Sequence, residues 1–172
     1  QLIGGSTFLF NPANFDAAAT DGAQVTTSDT LSFDLFTDSG FQVSGIQIVE
    51  LGSYSTTGDA TVDINANLSV DDISAGASRN TTGTMFFNPL PPFGDPTGTF
   101  QGNVLADLSF GAAWTDIHVE FTNNLIAIST PGNAATIRLD VVGAQIAIMV
   151  VPAPATAALG LFGIAAIGRR RR

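Results

Sequence analysis

The sequence has no cysteine and no lysine, and it holds one histidine (His118), one tryptophan (Trp114) and one tyrosine (Tyr54). The missing thiols exclude disulfides, thiolate metal sites and a cysteine nucleophile, so burial and backbone hydrogen bonds must hold the core. A Ser–His–Asp system would have to use His118, and no serine stands in a G-x-S-x-G turn. Glutamate occurs only at Glu50 and Glu120, and nothing in their spacing marks a carboxylate pair facing a cleft, as glycoside hydrolysis requires. Charge is scarce as well: 12% of residues, about half the usual share.

The few cations are unevenly placed. Four of the six arginines are Arg169, Arg170, Arg171 and Arg172. Residues 1–150 keep only Arg79 and Arg138 against fifteen acids, a net charge of −13. Such a body repels nucleic acid, whose binding depends on cationic contacts to phosphate. Acidity of this kind keeps a domain soluble and suits divalent cations or basic partners.

What is present is a folding pattern. Hydrophobic residues make up 45% of the chain, enough for a core, and threonine, serine, asparagine and glycine supply most of the polarity. Val62, Ile64, Ala66, Leu68 and Val70 alternate with polar residues, as do Phe100, Val104, Ala106, Leu108 and Phe110. Leu31, Phe33 and Leu35, then Ile117, Val119 and Phe121, then Ile137, Leu139 and Val141 repeat the period of two. A period of two puts one apolar face on a strand and suits an antiparallel sheet. The phase slips between Val43 and Ile46, which predicts a β-bulge at Ser44–Gly45. Asp21-Gly22, Ser39-Gly40, Gly58-Asp59 and Pro131-Gly132-Asn133 punctuate the strands as turns. Asn88 to Gly98, with four prolines, reads as a surface loop. Eight to ten short strands imply an all-β fold, an antiparallel β-sandwich of jelly-roll-like type, with an up-and-down barrel as the alternative. No fixed-period repeat points to a solenoid.

Within this body the candidate sites are few. Asp116, His118 and Glu120 share one face of a strand, but alternate side chains project in parallel about 7 Å apart, so a solvent face is the plainer reading than a metal site. Asp59, Asp63, Asp71 and Asp72 are the candidate calcium ligands, although none follows the spaced loop of a calcium-binding motif. Calcium is the one cofactor these acidic turns allow, and no other is indicated. Tyr54, flanked by serine and threonine, is the better candidate for an exposed ring that stacks on a ligand. Trp114 is read as core, with ligand stacking as its other role.

The end of the chain carries the most specific signal. Val151-Pro152-Ala153-Pro154 is an extended break, because proline fixes φ and disfavours helix before it. Ala155 to Gly168 is uncharged, with Leu159, Leu161, Phe162, Ile164 and Ile167 its strongly apolar residues, and Arg169 to Arg172 follow. As a helix those fourteen residues rise about 21 Å against a hydrocarbon core of about 30 Å, a marginal anchor whose arginines would stay at the cytoplasmic interface.

This order resembles the PEP-CTERM sorting signal: a Pro-Glu-Pro-like motif, a short apolar helix and an arginine-rich end. The resemblance covers residues 151–172, and Ala153 stands where the family usually has glutamate. It implies an exported protein of a Gram-negative-type bacterium, held transiently in the membrane by its tail and cleaved by an exosortase, often in connection with extracellular polysaccharide and biofilm. The sequence is therefore divided into an exported domain, residues 1–150, and a sorting tail, residues 151–172. The expected role is non-enzymatic, structural or adhesive, at the cell surface or in the extracellular matrix. A carbohydrate-binding module, calcium-dependent or not, is the alternative, and a secreted hydrolase is disfavoured.

Overall fold

The computed structural model describes residues 6–9, 15–73, 79–88, 96–110, 113–139 and 145–152, and for 6–9, 79 and 145–152 the backbone alone. Among these residues there are eleven strands and no helix. They are β1 (Ser6–Leu9), β2 (Asp16–Thr20), β3 (Gln24–Phe36), β4 (Phe41–Thr56), β5 (Thr61–Asp72), β6 (Arg79–Thr84), β7 (Phe86–Asn88), β8 (Thr97–Asp107), β9 (Asp116–Ile128), β10 (Ala134–Leu139) and β11 (Gln145–Pro152).

The strands form two antiparallel sheets. The first has seven strands and is organised on β4, the longest. One edge of β4 pairs with β8, which carries β7 on its far side. The other edge pairs with β11 over its first half and β10 over its second, and these two carry β1 and β2 respectively. The second sheet has the order β3-β9-β5-β6. The inward residues of both sheets form one apolar core, in which Ile46, Leu68, Ile117, Leu125 and Ile137 are fully buried.

The alternation in the sequence decides which residues face in. In β5 the even residues from Val62 to Val70 are buried, and in β9 the odd residues from Ile117 to Ala127. In β4 the parity changes where the bulge was expected: Met149 pairs with Gly45 and Val150 with Val43, which leaves Ser44 as the extra residue. At the Asp21–Gly22 turn both residues have positive φ, 54° and 85°, and the amide of Ala23 bonds the carbonyl of Thr20. A two-residue turn with both central φ positive suits Asp-Gly.

Three glycines have a packing role. Gly52 stands opposite Phe100, Gly98 opposite Tyr54 and Gly102 opposite Phe87 in cross-strand register. A Cβ at any of the three would overlap the ring facing it. The glycines thus leave room for aromatic rings to lie flat over the neighbouring strand.

One expectation changes at a strand end, and one strand reaches into the expected tail. Phe110 shared the inward parity of Phe100 but lies beyond the end of β8 and is 81% exposed. The strand pairing of β11 runs through Val151, opposite Gln42, and Pro152, opposite Phe41, two residues beyond the expected boundary at residue 150. Ala153, Pro154, the apolar run from Ala155 to Gly168 with its residues Leu159, Leu161, Phe162, Ile164 and Ile167, and Arg169 to Arg172 lie outside the described residues.

Candidate functional site: a polar sheet face and an interior carboxylate

Because the apolar residues of β3, β5 and β9 turn inward, their alternate residues form one outer face of the second sheet. The registers align these residues in rows: Asp34, His118, Asp71 and Asn80; then Ser32, Glu120, Ser69 and Thr82; then Thr30, Thr122, Asn67 and Thr84. Hydrogen bonds tie the rows across strands. His118 Nδ1 lies 2.6 Å from Asp34 Oδ1, and its Nε2 lies 3.3 Å from the Ser32 hydroxyl. Asn80 Nδ2 donates to Asp71 Oδ1 at 2.7 Å, and Thr84 Oγ1 donates to Asn67 Oδ1 at 3.2 Å. No lysine or arginine stands in these three rows.

A shallow depression of about 300 Å³ opens on this face, lined by Asn67, Ser69, Thr82, Thr84, Glu120 and Thr122 together with Leu68 and Gly83. The polar part of its lining is hydroxyl, amide and one carboxylate, fixed in position by strand backbone. Ligand pockets begin at about this size, roughly 300 Å³. At the end of the same face, opposite Asp116, Phe36 is 69% exposed. Phe36 was not singled out from the sequence, although the inward parity of Phe33 and Leu35 assigns it to the outer face.

The rings that were singled out are elsewhere. Tyr54 is 7% exposed and packs over Gly98, so the expected exposed platform is a core side chain. Trp114 is buried, in line with the core reading. The candidate calcium ligands separate: Asp59 and Asp63 lie at one end of β5 and Asp71 and Asp72 at the other, about 26 Å apart for eight residues of strand. Asp63 bonds the Ile64 amide, Asp71 bonds Asn80, and Asp72 is buried on the opposite face from Asp71. Asp116 and Glu120 do not converge on His118, whose ring turns towards β3 instead. Among the described residues no group of three or more histidine, aspartate or glutamate side chains is placed to hold a metal.

A second polar feature lies between the sheets. Glu50 occupies an inward position of β4 and is 2% exposed. Asn123, on an inward position of β9, donates from Nδ2 to Glu50 Oε2 at 2.5 Å. Asn123 Oδ1 is buried without a hydrogen-bond partner. Asp29, on the same parity of β3 as Leu31, completes the polar lining of a cavity of about 10 Å³ walled by Phe15, Leu31, Phe121 and Leu139. Burial pushes the Glu50 carboxyl up from 4.5 to about 8; the Asn123 hydrogen bond opposes the rise and the Asp29 charge adds to it. The cavity admits about one water molecule. Two carboxylates therefore do share a site, but a sugar ring does not fit between them. The sequence signal for this site was a polar residue at the inward parity of each of three strands: Asp29, Glu50 and Asn123.

No protein-family model matches the chain, and no curated protein matches it. Among solved structures it is similar to a CocE/NonD family hydrolase from Staphylococcus aureus, with TM-score 0.30 and 8% identity over 77% of this chain and 34% of that one. It is similar to infectious bursal disease virus, Gx strain, with TM-score 0.25 and 12% identity over 90% of this chain and 44% of that one. It is similar to Desmodium yellow mottle tymovirus, with TM-score 0.20 and 11% identity over 81% of this chain and 90% of that one. The chain spans about a third of the hydrolase chain and under half of the bursal disease virus chain. Likenesses this distant carry no functional argument.

Proposed function

We propose that this chain is an exported, non-enzymatic adhesive protein of the bacterial surface or extracellular matrix, and that it holds polysaccharide on the outer face of its second sheet. The observation that supports the binding role is the 300 Å³ depression lined by Asn67, Ser69, Thr82, Thr84, Glu120 and Thr122. Uncharged hydroxyl and amide groups match the hydroxyls of a neutral sugar, and Glu120 can accept hydrogen bonds from two of them. Phe36, about 13 Å along the strand from the row of Glu120, offers a ring on which a further sugar of the same chain can stack.

The strand order favours the jelly-roll form of the sandwich. If β1 with β2 and β10 with β11 are each counted as one interrupted strand, eight runs remain besides β7. The first sheet then takes the first, eighth, third and sixth of them, and the second sheet the second, seventh, fourth and fifth. That is the interleaving of two Greek keys.

Export and sorting rest on the tail. Its order of Pro152-Ala153-Pro154, apolar run and arginines supports transient membrane retention with residues 1–150 outside, followed by exosortase cleavage near Pro152–Pro154. The mass of the mature protein tests this; secreted material that still ends in Arg172 removes the sorting reading.

The binding reading is tested on an array of bacterial polysaccharides, with and without calcium. Thr82→Arg, on exposed β6, fills the depression without touching the core. The wild-type chain retains a neutral or weakly charged polysaccharide and the variant does not. Equal retention by the two, or none by the wild type, overturns the proposal.

A further inference from the structure

We propose that the end of the sandwich from which the tail departs rests on an electroneutral lipid surface, through Phe36, Ile73 and Phe110, while the tail is in place. The proposal rests on the reading of residues 155–172 as a transient membrane anchor and adds a second contact to it. Strand pairing fixes which residues share this end. Phe41 opens β4 and pairs with Pro152, where β11 ends. The Thr37 amide bonds the Thr115 carbonyl at 2.9 Å, and the Ile73 amide bonds the Asp116 carbonyl at 2.9 Å. The Val43 amide bonds the Trp114 carbonyl at 2.8 Å. The Leu108 amide bonds the Ser44 carbonyl at 3.0 Å, which sets Phe110, two residues on, at the same end.

Phe36 stands opposite Asp116 on one side, and Ile73 bonds it on the other, so the two apolar side chains flank one position at the rim of the second sheet. Phe36, Ile73 and Phe110 are each at least half exposed. Among the described residues six large apolar side chains are exposed, and these three gather at one end. The opposite end has Ile128, the partner of Gln24 and Thr61, while Phe86 and Leu105 lie along β7 and β8. A single exposed apolar side chain is ordinary, but a group at one rim marks an interaction surface.

The length of chain beyond the sheets names the occupant. Ala153 and Pro154 alone separate Pro152, the last paired residue, from the apolar run that begins at Ala155. Three residue steps reach at most about 11 Å. Fourteen helical residues rise about 21 Å against a hydrocarbon core of about 30 Å, so the anchor itself has no length to spare. An inserted run therefore draws this end of the domain to the headgroups, where phenylalanine and isoleucine enter the boundary with the acyl chains. Asp34, Asp38, Asp107 and Asp116 stand at the same end and outnumber Arg79, which pairs with Asp72. That excess of negative charge turns anionic lipid away and selects a neutral or zwitterionic surface. The contact also covers Phe36 until the tail is cut, so its ring becomes available to a sugar on release.

The test uses the full chain, in which an introduced thiol is the only one because cysteine is absent. Ser39→Cys, exposed between β3 and β4, reports on this end, and Asp59→Cys, exposed between β4 and β5, reports on the opposite one. Each is spin-labelled and reconstituted in phosphatidylcholine vesicles. Relaxation by oxygen, which concentrates in lipid, against relaxation by an aqueous nickel chelate reads the depth of the label. The Ser39 label meets lipid and the Asp59 label stays in water. Phe36→Ser, Ile73→Ser and Phe110→Ser together, all at exposed positions, remove most of that difference while the chain still floats with the vesicles. Phosphatidylglycerol at low salt moves the Ser39 label towards water, and added salt brings it back. A chain that does not float overturns the tail reading, and this proposal with it. A chain that floats with both labels equally aqueous overturns the rim contact alone and assigns the exposed side chains to a protein partner. A triple variant that keeps the full difference, or a Ser39 label drawn deeper by phosphatidylglycerol, also overturns it.

Discussion

Glu50 and Asn123 meet in the middle of the core, each projecting from a different sheet, with the amide donating to the carboxyl at 2.5 Å. Their strands belong to the two halves of the sandwich, so this contact is a polar link between the two sheets. Its energetics depend on the charge of Glu50.

The first prediction concerns pH. The carboxyl rises from 4.5 to about 8 on folding, chiefly through burial. The folded state therefore keeps a proton that the unfolded chain has lost. The stabilisation is fully present below about 4.5 and is lost as pH rises through about 8. At 1.36 kcal/mol per pH unit the ceiling on this effect is about 5 kcal/mol. Urea unfolding from pH 5 to pH 8.5 should show falling stability in the wild type and a much flatter profile in Glu50→Gln. Parallel profiles would show that Glu50 does not titrate as described.

A second prediction concerns the glycine–aromatic pairs. Gly52→Ala places a methyl group against the ring of Phe100 and the carbonyl of Arg138. Overpacking of this kind costs about 1–3 kcal/mol. Phe100→Ala leaves a cavity and costs about 3–5 kcal/mol. Once the ring is gone, part of the clash is relieved, so the double variant should be more stable than the sum of the single changes predicts. Strict additivity in urea would show that the two residues do not constrain each other.

A third prediction concerns the contact of His118 with Asp34. Its contact with Asp34 is 2.6 Å long, but the side chains are 35% and 49% exposed. Exposed pairs of this kind contribute about 0–1 kcal/mol. His118→Asn should change stability in urea by no more than that. A loss of several kcal/mol in this variant would show that the exposed contact holds the sheet together.

Much of this architecture was legible because a period of two has only two phases. Once Val62 to Val70 and Ile117 to Phe121 assign a face, every residue between them is placed, and the phase change from Val43 to Ile46 located the bulge at Ser44. The same rule gives Glu50, Asn123 and Asp29 the inward parity, and the first two are buried, but polar residues attract notice only when their strands are already aligned. Three strands distant in sequence bring them to one cavity, and register across sheets is not a local property of sequence. Tyr54 misled for a related reason. Its serine and threonine neighbours suggested exposure, whereas Gly98 on β8 makes the room that buries its ring. Phe110 kept the parity of Phe100 but lies past the strand end, where parity no longer decides burial.

The final prediction concerns where the proposed processing of the tail must stop. Pro152 pairs with Phe41 and Val151 with Gln42, at the end of the run that also joins Gln145 to Val49 and carries β1. Proline has no amide to donate, so a strand ends there at little cost. Cleavage after Pro152 leaves β11 whole, and a product ending at residues 152–154 should match the Tm of the uncleaved chain to within about 2 °C, since every described strand pairing is kept. Cleavage before Gln145 removes the partner of both β1 and the first half of β4, and exposes edges that the sheet had satisfied. Such a product should lose several degrees and aggregate. Intact-mass measurement and thermal unfolding of the released protein decide the point together. A stable mature protein that lacks residues 145–152 would show that β11 is dispensable and that the domain boundary lies earlier than its strand pairing indicates.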